Sequence, residues 1–226
     1  MMNTPVIKVY DEIHQLNIVV NFIVFKNIRN RKSDQSFNDF QQQMFSELIP
    51  ELSKEMLKND PVLEGYRVLR AKLGLSRNKY TCSSEALLKH LLKKNTLPQI
   101  NLLVDIYNLF SVKTHIFIGA HELGIINHPL DFKLTNGDEL FIPMGSDEPI
   151  EISKGEYAYI DGGNEVLCRL DHRQCHKTRI SESTRSCLLI VQGNPNTTRE
   201  QINSATEELI KLVNKYCGGD AEVVRY

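Results

Sequence analysis

Residues 97–123, LPQINLLVDIYNLFSVKTHIFIGAHEL, read as a helix and then a strand, and both belong inside a protein. Leu102, Leu103, Val104, Ile106, Tyr107, Leu109 and Phe110 leave the helix almost no solvent face, and a helix apolar all round is a buried one. Three polar side chains interrupt it. Asn101, Asp105 and Asn108 fall at i, i+4 and i+7 and so share one face. Buried polar groups are costly unless hydrogen-bonded. The row is therefore either a satisfied structural network or the wall of a polar pocket. The following residues add weight to the pocket. Ile116 to Ile118 is a short β-like run, Gly119-Ala120 permits close backbone approach, and His121 and Glu122 fall just past the expected strand end. Acid–base groups at a strand end beside a polar helix face make a candidate binding site.

Upstream, Ser83 and Ser84 are placed to cap a helix over 85–94, with leucines 87, 88, 91 and 92 facing inward. Asp60-Pro61 is a cap residue followed by proline at the first helical position, and Gly74 ends that helix. Its Arg67, Arg70 and Lys72 complement the helix dipole. Helical spacing over 37–57 is divided at Pro50. Val6–Tyr10 and Ile18–Phe25 read as strands, the second of them central.

Downstream, the pattern turns to β at Leu130. Asn136-Gly137 sits between strand-like runs and predicts a hairpin that returns through Glu139–Pro143. Gly155–Asp161 and Glu165–Leu170 pair around Gly162-Gly163, and Ser186–Gln192 is a further strand. Thr198 and Gln201 have capping-box spacing. They open a helix with Ile202, Ala205, Leu209, Leu212 and Tyr216 on its apolar face, ended by Gly218-Gly219. The expected architecture is α+β, mixed sheets packed with helices, in one domain over 1–226.

Composition bounds the function. With 226 residues, 41% hydrophobic and 24% charged, the chain can build a sizeable core. A net charge of -1 argues against broad coating of nucleic acid while allowing a local basic patch. Met1–Asp11 lacks the pattern of a signal peptide, and Ile18–Phe25 is too short to span a bilayer. Five scattered cysteines fit a reduced, cytoplasmic protein. Cys168, His172, Cys175 and His176 invite a zinc reading, but adjacent Cys175-His176 differ from the usual separated ligand pairs. The phosphate-binding glycine motifs and the Gly-x-Ser-x-Gly elbow are absent. Residues 169–185, RLDHRQCHKTRISESTR, interleave cations with hydroxyls. They read either as a phosphate-binding segment or as a solvated loop.

The run SSEALLKHLLKKNTLPQINLLVDIYNLFSVKTHIFIGAHEL resembles the B3/B4 domain of the bacterial phenylalanyl-tRNA synthetase beta subunit. That family carries a serine-started helix, Ile-Asn-x-x-Val-Asp-x-x-Asn, and a short strand ending near Ala-Phe-Asp. The resemblance extends to free-standing proteins built around this domain. Their motifs match Ser84-Glu85-Ala86-Leu87, Phe117-Ile118-Gly119-Ala120, Gly137-Asp138-Glu139-Leu140-Phe141, Gly155-Glu156-Tyr157-Ala158-Tyr159 and Leu167-Cys168-Arg169. It covers roughly residues 60 to 192, with the helix over 198–217 packed on that core.

The resemblance implies an α+β editing-type domain that hydrolyses the ester of mischarged tRNA without metal or cofactor, by positioning and polarisation. It carries Asn101, Asp105 and Asn108 over as site residues. His121 is added from its place near the strand end, and Glu139 from the free-standing proteins. Tyr107 and Gly119 stand where the synthetase has threonine and histidine. The region 174–177 lacks the glutamate that recognises tyrosine. Arg169, Arg173, Lys177 and Thr178 are the expected contacts to the ribose-phosphate end of a charged tRNA. Two other readings stand beside the hydrolase: an RNA-binding module without catalysis, and a binding protein for a free amino acid.

Overall fold

The computed structural model describes residues 5–77 and 79–226. Residues 1–4 of the expected domain lie outside these. The chain opens with β1 (Ile7–Val9), a short α1 (Asp11–Gln15) and β2 (Val20–Lys26). Next comes α2 (Gln35–Leu48), capped by the Asp34 carboxylate on the Phe37 N–H. A single 3-10 turn holding Pro50 then separates it from α3 (Lys54–Asn59), as the proline predicts. Asp60 caps α4 (Pro61–Lys72) by accepting from the Leu63 N–H, and Gly74 follows it at φ +70°.

The N-cap of α5 (Ser83–Lys94) is Cys82, with no side-chain bond, so neither Ser83 nor Ser84 caps it. The Ser84 hydroxyl lies 3.2 Å from the Cys82 thiol instead. Then come α6 (Leu102–Thr114), β3 (Phe117–Glu122), β4 (Leu130–Leu134), β5 (Tyr157–Asp161), β6 (Val166–Arg169), β7 (Arg173–Gln174) and β8 (Cys187–Gln192). The capping box on Thr198 and Gln201 opens α7 (Arg199–Cys217), and β9 (Asp220–Arg225) closes the described chain.

Two sheets form. One is mixed, in the order β1-β4-β5-β6-β7, with β1 parallel to β4. The other is antiparallel, in the order β3-β8-β2-β9. β2 and β8 are buried on both faces, which explains their unbroken apolar runs. Ile23, Phe25, Leu189 and Val191 point into a core shared with α2, α5, α6 and α7. Phe22, Val24, Leu188 and Ile190 point into a second core shared with the mixed sheet and α4. The antiparallel sheet is thus the middle of three layers. Ten of the 13 residues of α6 are buried. Its apolar periphery packs against α2, α5, α7 and β3.

Two expectations need correction. β3 extends through His121 and Glu122, both paired with β8, so neither lies past the strand end. And Asn136-Gly137 makes a turn but no hairpin: β4 pairs with β5, while Leu140 and Pro143 form only isolated bridges to Glu165 and Cys175. The reason is local. The Glu139 carboxylate takes the N–H groups of Asn136 (2.7 Å) and Gly137 (2.9 Å), and that closure replaces a strand ladder.

Candidate functional site

At the start of α6 the polar residues build a frame. Asn101 is extended and stands at the N-cap. Its Oδ1 accepts from the Val104 N–H (3.2 Å) and from Asn30 Nδ2 (2.9 Å), and its own amide donates to Ile180 O (3.2 Å). Asn30 in turn accepts from the Leu103 N–H (2.9 Å) and donates to Ser181 O (2.7 Å). Two asparagines therefore tie the loop after β2 and the chain at 180–181 to one helix end. Asp105 reaches back to accept the Ile100 N–H at 2.9 Å. Burial pushes its carboxyl up to about 6, against the lowering pull of the Ile100 and Asn101 N–H groups.

Asn108, one turn further on, is half-buried and has no side-chain hydrogen bond among the described residues. The Tyr107 phenol, also without one, is buried. Its pKa is raised by that burial and by the neighbouring Cys187, Asp105 and Cys168. Tyr107 packs in the core between the helices and the antiparallel sheet, together with Cys187 of β8.

β3 supplies the other wall. Ile118 and Ala120 face the helices, while Phe117 belongs to the core between the sheets, and Gly119 and His121 share its side by strand alternation. A Cβ on Gly119 would lie 2.6 Å from Gln174 Nε2, so the absent side chain lets β7 come close. His121 is 1% exposed. Its Nδ1 lies 2.7 Å from Thr178 Oγ1, and that hydroxyl lies 3.1 Å from the Cys175 thiol. Its Nε2 is buried and has no partner among the described residues. Burial alone holds the imidazole at a pKa of about 4, so it is neutral at pH 7.

Cys175 also lines a cavity of about 280 Å³, together with Leu140, Ile142, Glu165, Val166 and Lys177. Its floor is apolar, and Lys177 pairs with Glu165 and Asp161 at its edge. The three-member chain Cys175–Thr178–His121 runs from this floor to the buried imidazole. From the sequence, Cys175 is considered as a metal ligand, and Gln174 enters only within 174–177 as a region lacking the family's glutamate. Nothing local marks either one, since the contact with β3 is made across two sheets.

The remaining expected residues are dispersed. Glu139 closes its own turn, as above. Arg169 is 5% exposed, holds Glu156 through two bonds of 2.5 and 2.7 Å, and lies over the Tyr80 ring. Arg173 is exposed and donates to Met144 O at 2.9 Å. Lys177 lines the cavity, Thr178 is linked to it only through Cys175, and Arg169 does not line it. Among the described residues no cluster of three or more His, Cys, Asp and Glu is arranged to hold a metal ion. No helix among them is long and apolar enough to cross a membrane.

Helices on one face of a four-stranded antiparallel sheet and a mixed sheet on the other define an α+β protein. The chain belongs to the B3/4 domain family, whose model matches residues 66–218. No curated protein matches the chain. Among solved structures, its fold is similar to an N-terminal fragment of the phenylalanyl-tRNA synthetase beta-subunit from Pyrococcus horikoshii. The TM-score is 0.54 at 11% identity, over 99% of this chain and 54% of that one. The chain thus spans about half the length of that fragment.

Proposed function

We propose that this B3/4 protein is an editing-type hydrolase that releases the amino acid from a mischarged aminoacyl-tRNA or a related aminoacyl ester. The observation that carries the reading is His121. It is a buried, neutral imidazole whose Nδ1 is fixed by Thr178 and whose Nε2 has no partner among the described residues. A group with a pKa of about 4 is a poor proton acceptor at pH 7. It is a good fixed hydrogen-bond partner. Its role in this reading is to orient the attacking water or polarise the ester carbonyl, which is electrostatic positioning. The apolar cavity beyond Cys175 takes the acyl side chain, and Lys177 at its edge meets the terminal ribose-phosphate. In this reading Tyr107 and Asn108, on α6, meet the substrate from the helix side of the antiparallel sheet. Asn101, Asp105 and Glu139 hold backbone in place around it.

The same reading takes residues 1–226 as one unit. Its support is that β1 and β9, from opposite ends of the chain, are each hydrogen-bonded into a sheet. A second reading, RNA binding without catalysis, draws on the internal partners of Asn101, Asp105, Glu139 and Arg169, each of which is engaged within the fold.

The test is deacylation of a panel of tRNAs charged with correct and incorrect amino acids, followed as ester loss above the spontaneous rate. Release of one class is expected. His121→Asn should lower it by about 10²-fold, the scale of removing one preorganised donor, with tRNA affinity unchanged. No release from any charged tRNA, with RNA still bound, overturns the hydrolase in favour of the binding module.

A further inference from the structure

The cations expected to contact RNA, Arg169, Arg173 and Lys177, each have a partner within the fold. A cleft larger than the inter-sheet cavity lies elsewhere. It is a groove of about 930 Å³ between α3, α4 and α5. Six cations line it, Lys54, Lys58, Arg67, Arg77, Lys89 and Lys93, against two carboxylates, Glu64 and Glu85. That is a surplus of four positive charges on a chain whose net charge is -1. The rest of the molecule is correspondingly acidic, so the field is concentrated at this groove.

The floor is fixed. Arg67 donates to Leu57 O (2.8 Å) and Lys58 O (3.0 Å) and pairs with Glu85 (3.1 Å) and Glu64 (3.5 Å), locking α4 to the end of α3 and the start of α5. Glu85 also holds Lys89 at 2.8 Å, and Glu64 holds Arg77. The two carboxylates are thereby engaged. Lys54, Lys58 and Lys93 are exposed and have no ion pair among the described residues. Lys54 and Lys58 are one turn apart on α3, and Lys89 and Lys93 one turn apart on α5. Each pair is spaced by about 6 Å along its axis. Two short rows of ammonium groups therefore flank the groove.

We infer that this groove binds the phosphate backbone of an RNA strand. The apolar lining is limited to Leu57 and Leu92. A protein partner would need buried aromatic or aliphatic anchors that such a lining does not offer, whereas backbone binding needs only cations in a track. α5 also packs on β3, the strand of His121, so one helix joins the groove to the inter-sheet seam. The choice of RNA over other polyanions rests on the function proposed above.

The experiment is an anisotropy titration of the full chain with an uncharged tRNA over a series of salt concentrations. It compares wild type with the triple variant Lys54→Gln, Lys58→Gln, Lys93→Gln. A control triple, Lys32→Gln, Lys154→Gln, Lys211→Gln, carries the same charge change at exposed positions elsewhere. The groove variant should lose about tenfold or more in affinity at low salt, and its slope of log K against log salt should shrink by about 2, while the control stays near wild type. Equal behaviour of the two triples overturns the inference, as does a wild type that binds anionic vesicles or polyglutamate more tightly than tRNA. Hydrolysis is scored separately. Charged tRNA hydrolysed by wild type, with RNA affinity unchanged in the groove variant, sinks this inference alone. RNA binding lost in the variant, with no hydrolysis by either protein, sinks the hydrolase alone.

Discussion

Replacing His121 by asparagine tests the inter-sheet site through stability as well as through activity. An asparagine amide sits near the position of Nδ1 and retains a bond to Thr178 Oγ1, but nothing replaces Nε2. In the folded protein the imidazole has a pKa of about 4, lowered by burial. In the unfolded chain it returns to about 6.5. The unfolded state therefore binds the proton first. The stability tied to a neutral His121 is fully present above about pH 6.5 and is lost as pH falls toward about 4. At about pH 5 the unfolded pKa is roughly 1.5 units higher than the pH, which corresponds to about 2 kcal/mol. The chain contains no tryptophan, so urea unfolding is best followed by far-UV circular dichroism. Wild type and variant are each measured near pH 7.5 and near pH 5. Half-buried His172, whose pKa burial also lowers, contributes to both proteins and cancels in the double difference. The expected result is a wild type that loses about 2 kcal/mol more than the variant on acidification. A double difference within about 0.5 kcal/mol of zero would mean that the native imidazole takes up its proton freely, and the closed, neutral site would be refuted.

Two further substitutions test the frame around the site. Asn101→Ala removes an N-cap, leaves Asn30 Nδ2 with only its bond to Ser181 O and takes the donor from Ile180 O, so it should lower the unfolding free energy by about 2 kcal/mol. An unchanged denaturation midpoint would contradict the capping geometry. Gly65→Ala places a Cβ 1.8 Å from Asn194 Oδ1, and Asn194 is held by bonds to Val62 O and the Asn196 N–H. It should cost about 2–3 kcal/mol by overpacking. Gly124→Ala, which meets nothing within 4 Å, should change the thermal midpoint little. Similar midpoints for the two variants would argue against the close α4–Asn194 contact.

Elements whose signals are local were legible in advance. The buried α6 follows from an apolar run with hardly any polar interruption, α4 from Asp60-Pro61 and Gly74, and α7 from its capping box. The β5–β6 hairpin follows from Gly162-Gly163, although its register shifts at Tyr159/Ile160. β9 was not legible. Four of its six residues are exposed and three are charged, and they form a strand because β2 offers an edge from the other end of the chain. The parallel pairing of β1 with β4 depends in the same way on a partner more than a hundred residues away.

The candidate site divides along the same line. The sequence by itself determined that Asn101, Asp105, Asn108, Gly119 and His121 are close in the chain, and that a polar row interrupts an apolar helix. It also carried the family motifs that the matching model bears out. Only the tertiary structure decided what those groups do. Asn101 is turned to Asn30 and Ile180, Asp105 to its own helix start, Glu139 to its own turn and Arg169 to Glu156. Of the expected acid–base residues, His121 alone keeps a buried polar atom with no partner among the described residues. The physical reason is that a polar side chain's role is set by which donors and acceptors lie within about 3 Å of it. Most of those neighbours are supplied by segments far off in sequence, which only the packing of two sheets and a helix layer brings within reach.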